Sequence, residues 1–259
     1  NQKFIHLNNV KYFLLDEADY MLDMGMIHDV RKIIEFVPKA RQTMFFSATM
    51  PTDISKLANQ LLNDPIKVSI TPVSSAVDII EQSVYMVNKK NKTHLLVHLL
   101  KNEEVDSALV FSRTKHGADK IVKVLAKDGI NAAAIHGNKS QNNRQMVLKS
   151  FNDRKTKVLV ATDIAARGLD IDELSHVFNY NLPEVSETYV HRIGRTGRAG
   201  LGGVAISFCD QEEKSLLRDI EKLINKNVPV ISQSAYAMPG DIDKGLDSGM
   251  NDYLIKPVK

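Results

Sequence analysis

ALVFSRTKHGADKIVKVLAKDGINAAAI, residues 108–135, is the stretch that decides the fold. Its apolar runs at Ala108–Phe111 and Ala132–Ile135 are short enough to be strands. Between them Ile121, Val122 and Leu125 recur at helical spacing. A strand, a helix and a strand in this order predict a βαβ unit with two parallel strands.

The same alternation continues on both sides of this unit. Further strands are predicted at residues 82–87, 158–161, 177–180 and 204–208. Six strands within about 150 residues suffice for one complete sheet. The fold class is therefore α/β.

The first seventy residues repeat the pattern on a smaller scale. Strands are predicted at 12–15, where the run should be buried, at 43–46 and at 66–70. One helix carries Ile27, Val30, Ile34 and Val37. A second helix, capped by Thr52 or Asp53, ends before Pro65.

The segment TPVSSAVD, residues 71–78, is small, polar and contains proline, which favours a linker. We therefore expect domains at residues 1–72 and 73–226. Residues 227–259 form a short βαβ tail, which is too small to fold alone.

Composition excludes several classes of protein. The net charge is +3, too small an excess to indicate nucleic acid by itself. The single Cys209 excludes an internal disulfide and fits a reducing cytoplasm. No apolar run is long enough for a membrane span, and the first residues lack the features of a signal peptide.

Asp16 and Glu17 follow a four-residue apolar run, as in a Walker B strand. One carboxylate there serves Mg²⁺ and the other polarises a water. A strand that ends in a solvated acidic turn would look the same. However, DEAD is spelled in full at residues 16–19, and Ser47, Ala48 and Thr49 follow about 30 residues later. Together these segments resemble motifs II and III of the DEAD-box RNA helicases.

The second domain extends the resemblance in the family's own order. Its segments are VFSRTK (110–115), HGNKSQNNR (136–144), ATDIAARGLDI (161–171) and HRIGRTGR (191–198). The residues in these segments are most similar to those of the bacterial RhlE subgroup. The resemblance implies RecA-like parallel-sheet lobes, with a partial first lobe and a complete second lobe. It also implies ATP and Mg²⁺ as cofactors.

The resemblance assigns roles to particular residues. Asp16 would hold Mg²⁺ through water, and Glu17 would act on the attacking water. Arg195 and Arg198 would stabilise the γ-phosphate charge, a task that suits a forked, permanently charged donor. The alternative for these arginines is a basic surface helix. Gly168 and Asp170 would bind the nucleotide. Coupling is implied for Asp19, Ser47, Thr49, His191, Asp163 and Arg167.

RNA is the partner that the family implies, held by phosphate and ribose with little regard to base sequence. Arg113, Gly137 and Thr162 follow strand ends, where open α/β sheets bind ligands. Gln141 and Arg144 match the family's Q-x-x-R element. Ordinary turn chemistry remains the alternative at Arg113, Gly137 and Thr162, and the Q-x-x-R element could instead bridge to other motifs. Nothing in the sequence indicates a membrane or a DNA-specific partner.

Two departures from the family pattern stand out. No G-x-x-x-x-G-K-[ST] phosphate loop occurs in the sequence, and we expect the chain to be truncated upstream. The tail, residues 228–259, resembles the last third of a response-regulator receiver domain. Ser234 and Lys256 match that family's switch and phosphoryl-contacting residues. A natural fusion, an assembly error and an engineered junction would each explain such a chimeric chain.

Three functions follow as hypotheses. The first is a piece of an ATP-dependent RNA helicase, a cytoplasmic RNA-stimulated ATPase that cannot turn over alone. The second is a non-catalytic RNA-binding second lobe, which the missing phosphate loop favours. The third, a phosphorelay receiver, lacks its acceptor aspartate.

Overall fold

The computed structural model divides the chain into two compact units, residues 1–70 and 71–259. It describes residues 6–23, 25–69, 79–102, 105–166, 169, 171, 174–197, 202–234 and 252–255. The expected linker at 71–78 lies outside these residues.

The first unit contains a two-stranded parallel sheet. Strands β1 (Tyr12–Leu15) and β2 (Gln42–Phe45) pair from Tyr12 with Gln42 to Leu15 with Phe45. The helices are α1 (Ala18–Asp23), α2 (Ile27–Glu35) and α3 (Thr52–Leu61), and α1 packs against α3. Buried apolar side chains on all of these elements except β2 form its core: Leu15, Ala18, Ile27, Val30, Ile54 and Leu57.

Three expectations for this unit were wrong. Strand β1 is not buried throughout, because Tyr12 and Leu14 lie on a face that no described residue covers. The segment 66–69 forms no strand: Ile66 is 94% exposed, and a strand needs a partner edge. Helix α3 begins after Pro51 without a side-chain cap.

The second unit contains a parallel sheet with the strand order β10-β9-β3-β8-β7-β4-β6-β5. Its strands are β3 (Ile80–Met86), β4 (Ala108–Phe111), β5 (Ala132–Ile135), β6 (Val158–Ala161), β7 (His176–Asn179), β8 (Gly203–Cys209), β9 (Val230–Ser234) and β10 (Asp252–Ile255). Its helices are α4 (Lys92–Asn102), α5 (Lys115–Lys127), α6 (Gln141–Asn152), α7 (Asp163–Ala166), α8 (Ser186–Ile193) and α9 (Lys214–Ile224). Single 3₁₀ turns cover Lys89–Asn91 and Gln211–Glu213.

Apolar packing covers both faces of the sheet, which explains why the central strands read as continuous apolar runs. On one face Val110 and Phe208 pack with α4 and α5 residues such as Leu96 and Ile121. On the other face Leu109 packs near α6, and further along Ala205 packs with residues of α8 and α9. The α/β class with parallel sheets is confirmed.

The C-terminal segment extends this sheet. Strand β9 pairs with β3, Val84 opposite Val230, and β10 pairs with β9, Asp252 opposite Ile231; both pairings are parallel. The two strands expected in the tail are therefore present. The helix expected between them lies outside the described residues.

No helix in the described part of the chain is long and apolar enough to cross a membrane.

Candidate functional site

The acidic turn after β1 exposes two carboxylates. Asp16 and Glu17 are both exposed, and the Glu17 amide donates to Asp16 Oδ1 at 2.9 Å. Glu17 has φ of +50°, a left-handed conformation that costs energy for a residue with a side chain. The turn thus directs both carboxylates to solvent, where Asp16 could hold Mg²⁺ through water. No cluster of three or more metal-ligating side chains occurs among the described residues.

Asp19 joins this turn to the end of β2. The Thr49 amide and hydroxyl each donate to Asp19 Oδ2 at 2.9 Å, and the Asp19 amide donates to Ser47 Oγ at 3.1 Å. Burial of Asp19 opposes its ionisation, but the hydrogen bonds with Thr49, Ser47 and the Tyr20 amide together outweigh burial and lower the pKa of Asp19. Three of the predicted coupling residues therefore form one network.

In the second unit, the predicted residues follow the carboxyl ends of parallel strands. Arg113 follows β4, Gly137 follows β5, and Thr162 and Asp163 follow β6. Because parallel strands end on the same edge of a sheet, these loops gather there.

Arg192, on α8, is the central side chain at this edge. It is 3% exposed, and its Nε and Nη2 donate to the two oxygens of Asp163 at 2.6 and 2.7 Å. Its Nη1 donates to Asn179 Oδ1 at 3.0 Å and to the Asn181 carbonyl at 2.7 Å. The guanidinium lies over the Phe111 ring, 4.8 Å from its centroid. One arginine thus connects the ends of β4, β6 and β7.

Arg192 is not among the residues predicted from the sequence, although its neighbours His191 and Arg195 are. The buried face of α8 carries Thr188, Tyr189, Arg192 and Ile193 at helical spacing. An arginine on the buried face of a helix indicates a buried ion pair. Only the structure shows which face of α8 is buried, so spacing along the sequence could not identify this ion pair.

His191 and Arg195 line a narrow crevice of about 10 Å³ beside Asp163 and Arg192. The Arg195 Nη1 lies 3.4 Å from the Leu169 carbonyl. Gly197 has φ of +68°, and a Cβ there would lie 2.7 Å from Ile80 Cγ1. This turn therefore requires glycine.

Arg113 is held by internal contacts. Its Nη2 donates to the Leu182 carbonyl and to Glu213 Oε1, each at 3.1 Å, and its amide donates to Asn181 Oδ1 at 3.2 Å. Glu213 is not among the residues predicted from the sequence. It lies shortly after the end of a strand, near Asp210, and belongs to none of the motifs that the sequence analysis identified.

The other predicted RNA residues have simpler surroundings. Gly137 is exposed, and a Cβ there would meet nothing closer than Lys115 Cε at 3.7 Å. Gln141 Oε1 lies 3.5 Å from Arg144 Nη1 in the first turn of α6. The Thr162 carbonyl accepts the amides of Ala165 and Ala166 and so begins α7.

Several predicted residues lie outside the described part of the chain. These are Arg167, Gly168, Asp170, Arg198 and Lys256. Ser234 lies in β9, where only the backbone is described.

Two family models match the chain. Residues 1–57 match the DEAD/DEAH box helicase model, and residues 91–200 match the helicase conserved C-terminal domain. The chain is 42% identical over 228 residues to the DEAD-box ATP-dependent RNA helicase CshA of Bacillus subtilis, covering 88% of this chain and 46% of that protein. The chain spans about half the length of the curated relatives it matches.

Solved structures give the same match. S. cerevisiae Dbp5 bound to RNA and ADP BeF3 is 31% identical with a TM-score of 0.80, covering 95% of this chain and 64% of that chain. The E. coli DEAD-box protein SrmB, bound to the regulator of ribonuclease activity A, is 38% identical with a TM-score of 0.55. The alignment covers 58% of this chain and 88% of that chain.

Proposed function

This chain belongs to the DEAD-box RNA helicase family, and we propose that it is part of an ATP-dependent helicase that remodels RNA. One observation carries the proposal: the forked ion pair between Arg192 and Asp163, at the edge where the loops after β4, β6 and β7 meet. Dbp5, a structural relative, binds RNA and ADP BeF3. We expect this chain to bind the same two classes of ligand, RNA and a nucleotide.

The proposed mechanism rests on positioning and charge. Phosphoryl transfer needs fixed donors around the developing γ-phosphate charge. The Arg192 ion pair would fix α8 and so position Arg195, which follows this helix, as one donor. Arg198 would be the other donor. Asp16 would hold Mg²⁺ through water, and the metal would supply charge that offsets the negative charge of the phosphates. Glu17 would orient the attacking water.

The remaining roles keep the assignments predicted from the sequence. Gly168 and Asp170 would bind the nucleotide. RNA phosphates and riboses would contact Arg113, Gly137, Gln141, Arg144 and Thr162. Asp19, Ser47, Thr49, His191, Asp163 and Arg167 would couple the nucleotide and RNA sites.

Finer assignments are also proposals. We infer an RhlE-like subgroup from the residues of the motifs. We infer a cytoplasmic location from the single cysteine. Residues 1–72 would be part of the first lobe and 73–226 the second lobe. Residues 227–259 would derive from a receiver domain, with Ser234 and Lys256 as remnants of its switch.

A non-catalytic RNA-binding role is the second candidate. It is favoured by the absence of a G-x-x-x-x-G-K-[ST] segment from the sequence. No such segment in the given sequence would hold the β-phosphate, and well-placed groups are worth roughly 7 to 11 kcal/mol in such reactions.

ATPase assays with and without RNA separate the two candidates. We expect no RNA-stimulated turnover by this chain alone, and turnover once a matching first-lobe segment is joined to it. Arg198→Ala or Glu17→Gln should then abolish activity, since an arginine finger is typically worth about 10³ to 10⁵ in rate. If the chain alone hydrolyses ATP and Glu17→Gln leaves the rate unchanged, both the site assignment and the mechanism are wrong.

A further inference from the structure

Glu213 is a buried carboxylate beside the ligand-facing edge of the second unit. It ends the 3₁₀ turn Gln211–Glu213 that follows β8, and it is 3% exposed. A buried carboxylate must be paired and hydrogen-bonded to offset its lost hydration. Its partners therefore show which parts of the fold depend on its charge.

Both oxygens of Glu213 accept hydrogen bonds. Oε1 accepts Arg113 Nη2 at 3.1 Å and lies 3.5 Å from Asn181 Nδ2. Oε2 accepts the fully buried Lys92 Nζ in a short contact, and the Asp210 amide at 3.4 Å. One side chain thus connects the loops after β4, β7 and β8 with the start of α4.

Two cations and two buried carboxylates meet in this cluster. Lys92 Nζ also lies 3.2 Å from Asp210 Oδ2, so Lys92 and Arg113 face Asp210 and Glu213, while the exposed Glu184 lies 3.8 Å from Arg113 Nε. Loss of Glu213 would leave Arg113 only this exposed carboxylate, and Arg113 could then turn to solvent.

Arg113 is held at one nitrogen and available at another. Nη2 makes the bonds to Glu213 and the Leu182 carbonyl, and Nε lies 3.8 Å from the exposed Glu184, while Nη1 has no hydrogen-bond partner within the described residues. The side chain is 41% exposed. A guanidinium fixed on one side can offer its other donors to a phosphate without a large loss of side-chain entropy.

We propose that Glu213 is a positioning residue that orients Arg113 toward an RNA phosphate. The inference rests on the proposed function, since it needs RNA as the ligand. It adds a residue behind the contact surface, which acts through Arg113. Asn181 connects the same carboxylate to the Arg192 network, because its backbone carbonyl accepts Arg192 Nη1.

The carboxylate itself is required. A glutamine at position 213 has one acceptor oxygen and one NH₂ donor. The NH₂ would face either Arg113 Nη2 or Lys92 Nζ, both of which are donors. Glu213→Gln should therefore release Arg113 or disturb Lys92, although the side chain keeps its shape.

The sign of the effect separates positioning from simple electrostatics. Removing an acidic charge near an RNA site should strengthen binding if only the net field matters. Removing the group that holds Arg113 should weaken binding. Glu212→Gln is the matched control, because Glu212 is the adjacent residue, carries the same charge and pairs with Lys89 at the surface.

The experiment measures the affinity of the whole 259-residue chain for a labelled single-stranded RNA of about 10 nucleotides at low salt. We expect Glu213→Gln and Arg113→Gln each to weaken binding about tenfold, the size of one lost charge-assisted hydrogen bond. The double variant should be no weaker than Arg113→Gln alone. Glu212→Gln should bind as tightly as the unmodified chain, or slightly more tightly.

Glu213→Asp covers the case in which Glu213→Gln does not fold. It keeps the charge but shortens the reach to Arg113, so we expect a smaller loss of affinity with the fold retained in circular dichroism. The inference is overturned if Glu213→Asp binds like the unmodified chain. It is also overturned if Glu213→Gln binds as tightly as Glu212→Gln, or if its loss adds to that of Arg113→Gln. If the unmodified chain binds no RNA, the proposed function fails and the inference fails with it.

Discussion

Replacing Arg192 by lysine keeps a positive charge but removes the fork that holds Asp163. The guanidinium makes four hydrogen bonds, two to Asp163 and one each to Asn179 and the Asn181 carbonyl. Lysine is a point charge on a different stem, and we expect it to keep only the ion pair with Asp163. It also leaves the buried Asn179 oxygen without this donor.

The magnitude follows from the lost bonds. Hydrogen bonds to charged groups are each worth about 1.5 to 3 kcal/mol, and two or three are lost. The Asp163 side chain is 32% exposed, so water replaces part of that loss. We therefore expect Arg192→Lys to lower the free energy of unfolding by about 3 kcal/mol.

Urea unfolding followed by far-ultraviolet circular dichroism measures this, because the chain has no tryptophan to serve as a fluorescent probe. Arg218→Lys is the control, since Arg218 is exposed on α9 and should change stability by less than about 0.5 kcal/mol. If Arg192→Lys is as stable as the control, the network is not what fixes α8.

Two further substitutions test other contacts. Thr49→Val removes one donor to Asp19, so it should raise the pKa of Asp19 and cost about 1 kcal/mol at neutral pH, while Thr49→Ser should not. The pKa of Asp19 is lowered in the folded chain, so its stabilisation is present above the usual pKa of 3.8 and is lost as pH falls through the folded pKa. The difference in the free energy of unfolding in urea between Thr49→Val and the unmodified chain should therefore narrow in acid. A constant difference would contradict this. Gly203→Ala should cost about 3 kcal/mol, since its Cβ would lie 2.1 Å from Thr196 Oγ1. Gly202→Ala, which meets nothing within 4 Å, should be neutral in the same denaturation assay, and equal stability of the two variants would refute the steric argument.

The sequence predicted best those strands that are covered on both faces. Residues 108–111, 132–135 and 158–161 have the predicted bounds, because a short apolar run between turns has few other stable conformations. Residues 66–70 carry a similar run but form no strand over 66–69. A strand depends on a neighbouring edge, and local sequence does not contain that information.

The candidate site was predicted in part, for a related reason. The resemblance to motifs II and III implied a shared role for Asp19, Ser47 and Thr49, which the structure brings together. The supporting side chains Arg192 and Glu213 were missed. Their roles arise from partners distant along the chain, such as Asp163 and Lys92, and spacing along the sequence cannot reveal such pairs.

Strand β10 changes which strand of the second unit is open to other molecules. Without it, β9 would present a row of unpaired backbone amides and carbonyls, the usual starting point for intermolecular strand pairing and aggregation. With it, the strand at this edge of the described sheet is Asp252–Ile255, which is only four residues long. Short outer strands are poor templates for such pairing. We therefore expect the C-terminal segment to limit intermolecular strand pairing at this edge of the second unit.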